Sequence, residues 1–215
     1  FLDGKLDDIN IVYKGIDSNI FINDNLIKEK EIYTGCLTFH NIIFNNVNIS
    51  SFDGKCEDSI NFIKSSGSIN HIKIKRSFSD ALDFDFSKIK VESIYVENAK
   101  NDCVDFSYGK YEINKLQLNK CGDKAISIGE NSTFYNKSSY IKNSNIGIAS
   151  KDSSFSFFNK VNIENCETCI SAYNKKQEFD GSFIEVNNLN CKNYKKNIFL
   201  DHLSKINIKN LINGQ

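Results

Sequence analysis

The sequence predicts an all-β fold: a single-stranded, right-handed parallel β-helix of about eight rungs of ~22 residues, each with three short strands. Three observations carry this reading. A tetrad of residues recurs along most of the chain with a period of 22. Apolar residues alternate with polar ones in and around each tetrad, and no segment has a helical period. Asn and Ile are abundant, at 30 each among 215 residues. Ile favours strands, and Asn tolerates the left-handed backbone of tight turns.

Taken in order, residues 1–35 hold no copy of the tetrad and are read as an N-terminal turn and cap. Residues 36–215 hold the rungs. The tetrads begin at Cys36, Ser59, Ala81, Cys103, Ala125, Gly147, Cys169 and Asn197, with spacings of 23, 22, 22, 22, 22, 22 and 28. The second position is aliphatic in all eight, from Leu37 to Ile198. The fourth opens as an aromatic run, Phe39, Phe62, Phe84 and Phe106. The first is mostly small and the third mostly polar, the pattern of a strand with one buried face. Two further strands follow in each repeat. The second is read at Ile89/Val91, Tyr111/Ile113, Thr133/Tyr135 and Phe155/Phe157. The third is read at Ile72/Ile74, Ile94/Val96 and Leu116/Leu118, slipping by one to Tyr140 and then Val161/Ile163. A longer loop is expected near 175–181, and Ile206 and Ile208 mark an incomplete last rung.

A unit this small cannot bury its own apolar side and must stack on copies of itself. A leucine-rich repeat would need a regular Leu/Asn signature and a helical return, and a propeller blade about twice the length. At ~4.8 Å per rung, eight rungs make a rod roughly 35–40 Å long.

Composition narrows the function. Charged residues make up 25% and formal net charge is zero, which argues against a nucleic-acid partner. No apolar run reaches the ~18 residues of a membrane helix, so no membrane insertion is expected in this segment. The chain starts at Phe1 and holds no Met. It is therefore expected to be cut from a longer parent chain, with any signal or anchor on the missing part.

Of the seven cysteines, Cys36, Cys103 and Cys169 share the small first column, three rungs apart. At ~14 Å they are too far apart to pair with one another. Cys56, Cys121, Cys166 and Cys191 stand ahead of the following tetrads. All are read first as small buried hydrophobes. Cys166-x-x-Cys169 alone is a weak redox or zinc signal.

The sharpest chemical feature is a group of carboxylates on neighbouring rungs. Asp83 and Asp105 hold the outward third position of adjacent tetrads and should stack ~5 Å apart. Asp80 and Asp102 precede their tetrads at the turn, and Asp58 extends that column. Asp85 adds an outward acid, and Asp123 and Lys124 occupy the turn one rung later. Like charges this close raise at least one pKa unless a cation intervenes. Three readings stay open. The acids cap turns and are balanced by Lys124 or Lys110; they bind a hard cation such as calcium through Asp80, Asp102 and Asp123; or they are paired catalytic carboxylates acting on a glycan. The first and third require no cofactor. Tyr108 and Tyr173, beside these acids, are candidate sugar-stacking residues, with Lys124 as a further substrate contact.

The rung pattern over 36–200 resembles the pectin-lyase-like superfamily of right-handed parallel β-helices. Within it, polygalacturonase-type hydrolases carry an N-T-D-G-x-D motif that resembles Phe78-Ser79-Asp80-Ala81-Leu82-Asp83. Their D-D-C motif resembles Asn101-Asp102-Cys103. Their G-H-G and R-I-K motifs fall on Asp123-Lys124-Ala125 and Ala149-Ser150-Lys151. The resemblance implies catalytic roles for Asp80 and Asp102, but Asn101, Lys124 and Ala149 replace the third acid, the His and the Arg. The stretch Gly122–Asp152 also resembles non-catalytic β-helix repeats of large bacterial surface proteins.

The expected function is therefore a non-catalytic β-helix module of a larger bacterial surface or secreted protein, acting as scaffold or glycan-binding surface. The alternative is a carbohydrate-active enzyme, a polysaccharide hydrolase, lyase or epimerase, with its site at Asp80, Asp83, Asp102 and Asp105. Either implies a polysaccharide or cell-surface glycan as partner and an extracellular or cell-surface location.

Overall fold

The computed structural model describes residues 1–15 and 34–213. They form thirteen β-strands and no helix. These are β1 (Leu2–Asp7), β2 (Asn10–Lys14), β3 (Gly35–Phe52), β4 (Asp58–Ile63), β5 (Ser66–Ser77), β6 (Asp80–Asp85) and β7 (Lys88–Ala99). There follow β8 (Val104–Ser107), β9 (Lys110–Gly129), β10 (Thr133–Lys151), β11 (Phe155–Tyr173), β12 (Phe183–Leu200) and β13 (Lys205–Asn213). Every pairing is parallel. The result is a parallel β-solenoid of about eight turns. The longer strands bend round corners and serve more than one face.

The tetrads stack as their spacing requires. Leu37, Ile60 and Leu82 are register partners in succession, as are Val104, Ile126, Ile148, Ile170 and Ile198, and the Asp83–Asp105 pairing joins the two runs. The aromatic fourth position becomes a ladder inside the rod. Phe39–Phe62, Phe62–Phe84 and Phe84–Phe106 stack at 5.1, 4.7 and 5.1 Å, and Phe1 closes the lower end on Phe39 at 4.9 Å. Burying each such ring contributes about 1.5–3 kcal/mol, so the column stabilises the sheet that presents the acids on its other side.

Asn does at the corners what its abundance predicts. Asn98, Asn143, Asn165 and Asn193 take positive φ at one corner, together with Arg76 and Lys120. Their side chains form a ladder of their own: Asn143 donates to Asn119, Asn165 to Asn143 and Asn193 to Asn165.

The second strand departs from the expectation after Gly129. Phe134 and Asn136, then Ser156 and Phe158, face inward, while Tyr135 and Phe155 are exposed. The cause is one extra turn residue. Only two residues separate β8 from β9, but three separate β9 from β10, with Glu130 and Asn131 both at positive φ. Lys110 therefore pairs with Thr133, and a register shift between Ser144 and Ile146 restores the 22-residue spacing. For the same reason Ser139 and Ile141, not Tyr140, are the buried pair of the third strand.

The cysteines also depart from the first reading. They are not merely small apolar fillers: Cys36–Cys56, Cys103–Cys121 and Cys169–Cys191 are disulfides, and Cys166 is free and buried. The first two bonds join a first-column sulfur to the turn sulfur ahead of the next rung, a pairing that folding the corner makes possible. At the other end of the rod, β11 and β12 are joined by residues 174–182, the long loop, and Ile206 and Ile208 lie in β13. At the N-terminus, β1 and β2 pair with β3; the rest of the 1–35 cap region, 16–33, lies outside the described residues.

Candidate functional site

The acids gather on the outer side of the face that holds the tetrads. Its central column runs Thr38, Asn61, Asp83, Asp105, Ser127, Ala149, Ser171 and Phe199, one residue per rung. Beside it runs Ile63, Asp85, Ser107 and Gly129. Strand alternation puts Phe62, Phe84 and Phe106 inward and leaves Asp83, Asp85 and Asp105 outward and half-buried.

The structure divides the expected site residues into two groups. Asp80, Asp102, Asp123 and Lys124 hold the turn. Asp80 Oδ1 accepts from the Asn101 amide and the Asp102 backbone N–H, each at 2.7 Å. Asp102 Oδ1 accepts from the Lys124 backbone N–H at 2.8 Å. Lys124 Nζ lies 3.4 Å from both Asp102 oxygens and pairs with Asp123. Burial pushes Asp102 up to about 6 against the pull of Lys124, so it is still ionised at neutral pH. Burial works against the Lys124 ammonium too, but Asp102 and Asp123 overcome it and raise its pKa. These groups satisfy one another, as turn caps do.

The second group has no cation. Among the described residues, Asp58, Asp83, Asp85 and Asp105 make no ion pair; on this face the pairs go to Asp102, Asp123 and Glu130. Burial drives Asp83 well above the usual carboxylate range, and the charges of Asp85 and Asp105 add to it. Asp85 is also raised by burial, while hydrogen bonds from Asp83 and Asn61 pull the other way. The hydrogen bond between the two raises Asp83 and lowers Asp85, so Asp83 is its donor. Burial pushes Asp58 up to about 7, although Thr34 donates to it.

Two neutral residues complete the column. Asn61 Nδ2 donates to Asp83 Oδ2 at 2.9 Å and reaches Asp85 Oδ2 at 3.4 Å, but its Oδ1 is buried without a partner. Ser127 is fully buried and its Oγ has no partner. Such groups are uncommon in folded proteins and cost about 1–3 kcal/mol each.

An aromatic ledge edges this face. Phe86 and Tyr108 stack at 4.7 Å, and Phe179, from the long loop, leans on Tyr108 at 6.2 Å. Tyr108 therefore spends its ring on neighbours, leaving Phe86 as the more exposed ring, at 54% against 40%. Tyr173 packs edge-on against Phe199 at 6.0 Å. Lys64, Phe86, Tyr108, Glu130 and Asp152 end successive rungs of this face, all at φ near +50°. Bulky residues rarely adopt that conformation.

Reasoning from the repeat located Asp83, Asp85 and Asp105 but attached no role to Asn61, Ser127, Glu130, Phe86 or Phe179. The signal was available: Asn61 and Ser127 hold the third tetrad position one rung either side of the two acids. A separate groove of about 490 Å³ lies on the second-strand face, lined by Lys110, Glu112, Tyr135, Phe157 and Glu185 among others. Tyr135 and Phe157 stack on each other, and Glu112 and Glu185 are paired with Lys90 and Lys209. The two acids of this groove are thus compensated, unlike Asp83, Asp85 and Asp105.

No protein-family model, curated protein or solved structure matches this chain.

Proposed function

We propose that the protein is a β-solenoid module that binds a glycan along its acidic face. One observation carries this reading: the column Asn61–Asp83–Asp105–Ser127, where uncompensated carboxylates stand between buried acceptors that lack donors. Hydroxyl-rich chains supply such donors, and the column runs along the rod, as an extended polymer would. The aromatic ledge at Phe86 supplies an apolar edge. The pectin-lyase-like resemblance of the rungs supports the same partner class. Three disulfides support an oxidising compartment and hence a secreted or surface-exposed parent protein.

A second reading, a carbohydrate-active enzyme, is favoured by the pairing of Asp83 with Asp85, where burial raises the carboxyl pKa. A raised carboxyl pKa is what a general acid needs. In that case Asp83, Asp85 and Asp105 carry the chemistry, and Asp80 and Asp102 remain turn caps. Incubation with acidic, neutral and basic polysaccharides, with and without calcium, separates the two. Binding without new reducing ends or unsaturated products supports the module. Turnover abolished by Asp83→Asn but kept in Asp102→Asn establishes the enzyme. Absence of both binding and turnover overturns the glycan reading.

A further inference from the structure

We propose that the acidic face selects a glycan carrying protonated amines, a deacetylated hexosamine polymer, over neutral or uronate chains. This rests on the glycan reading above and specifies its substrate class.

Asp83, Asp85 and Asp105 lie on two successive rungs, at β6 and β8, and none has an ion-pair partner among the described residues. Of the lysines on this face, Lys124 is held by Asp102 and Asp123 and Lys176 by Glu130, while Lys151 lies beside Gly129, three rungs beyond Asp85, and acts on Glu130. A polyuronate laid here would meet like charge in a partly desolvated site, which costs more than it would in water. A chain of ammonium groups would meet its complement.

Spacing decides between one metal ion and a row of cations. Among the described residues, the only three metal-ligating groups whose atoms fall within 4.8 Å of one another are the sulfurs of Cys166, Cys169 and Cys191. The carboxylates are not gathered into a cage. They repeat by rung, ~4.8 Å apart along the rod, which suits successive charges on one extended chain. The buried acceptors at each end of the pair of acids, Asn61 Oδ1 and Ser127 Oγ, point to a ligand rich in donors. An amino sugar brings both ammonium and hydroxyl donors. A lysine-rich peptide brings charge but no hydroxyls, and leaves the ledge at Phe86 without a role.

The test is calorimetric titration of the intact protein near pH 6 with a glucosamine oligomer, its N-acetylated form, a galacturonate oligomer and an oligolysine of similar length. The glucosamine oligomer is expected to bind at least about tenfold more tightly than its N-acetylated form, the effect of one charge-assisted hydrogen bond. Its affinity should fall with added salt. Asp83→Asn combined with Asp105→Asn should remove that preference while the far-ultraviolet spectrum and unfolding midpoint show the fold retained. Phe86→Ala should weaken the sugar and not oligolysine. Equal or tighter binding of the N-acetylated or galacturonate oligomer would sink the amine selectivity and leave the glycan reading standing. No binding by any sugar would sink both. Oligolysine binding as tightly as glucosamine, with Phe86→Ala silent, would replace the sugar with a general polycation.

Discussion

Asp58, Asp80, Asp83 and Asp85 all have carboxyl pKa values that burial raises above their ordinary range, Asp58 to about 7. The folded chain therefore holds more protons than the unfolded chain between the usual carboxylate range and about neutral. In that window stability rises as pH falls. The unfolding midpoint is expected to be several degrees higher at pH 5 than at pH 8, and Asp58→Asn should flatten the slope. A midpoint that drops steadily from pH 8 to pH 5 would contradict the uncompensated burial of these acids. Cys166 offers a second prediction at this scale. Its thiol, raised to about 11 by burial, lies 3.8 Å from Cys169 Sγ. The equivalent turn sulfurs Cys56 and Cys121 bond to the first column of the preceding rung, but there Cys166 finds Gly147. Cys191→Ser is therefore expected to yield a Cys166–Cys169 disulfide on oxidation, read by peptide mapping. A Cys166 that stays fully alkylatable in the oxidised variant would contradict that geometry.

Among the elements, the tetrad strands combine an inner ladder with an outer acid row, and the two are separable. Phe84 is fully buried between Phe62 and Phe106. Phe84→Ala should cost about 3–5 kcal/mol in denaturant unfolding, and Phe86→Ala under about 1 kcal/mol because its ring is half in solvent. Equal costs would mean that the ledge, not the ladder, supports the sheet. The long loop is tied down by several side chains, Asp152 the most buried of them. Asp152 is fully buried, and its Oδ1 accepts from the backbone N–H groups of Lys175 and Lys176 at 2.6 and 2.8 Å. Asp152→Ala should release residues 174–182 to proteolysis and move Phe179 off Tyr108. Unchanged resistance to cleavage would show that Asn174, which donates to the Lys176, Phe179 and Asp180 carbonyls, holds the loop together with Ser153, Asp201 and Glu130 without Asp152.

At the scale of the whole molecule, stability is a sum over neighbouring rungs. Strands β5, β7, β9, β10, β11 and β12 each have a partner on both sides, whereas among the described residues β13 pairs with β12 alone. Leu211 and Ile212 in β13 are 43% and 59% exposed. Amide exchange should accordingly be slowest from β7 to β11 and fastest in β13. Slow exchange in β13 would show that another chain covers that open edge.

The sequence alone determined the repeat, its eight tetrads and the parallel solenoid, because a fixed period with alternating apolar residues forces identical side chains into columns. It also placed Asp83, Asp85 and Asp105 together, since residues 22 apart must stack. What it could not decide depends on the corners. A single added residue after Gly129 turned Tyr135 and Phe155 outward, and corner geometry joined Cys103 to Cys121 and Cys36 to Cys56. The division of the acids was likewise tertiary. Asp80 and Asp102 look like the matching catalytic pair in sequence, but backbone N–H groups and Lys124 claim them. Among the described residues Asp83 and Asp85 have no cation, because Lys124 and Lys176 are held by Asp102, Asp123 and Glu130 and Lys151 lies by Gly129 and Glu130. Which carboxylate finds a partner is set by distances across rungs and by burial, and neither is a property of the residue types in order.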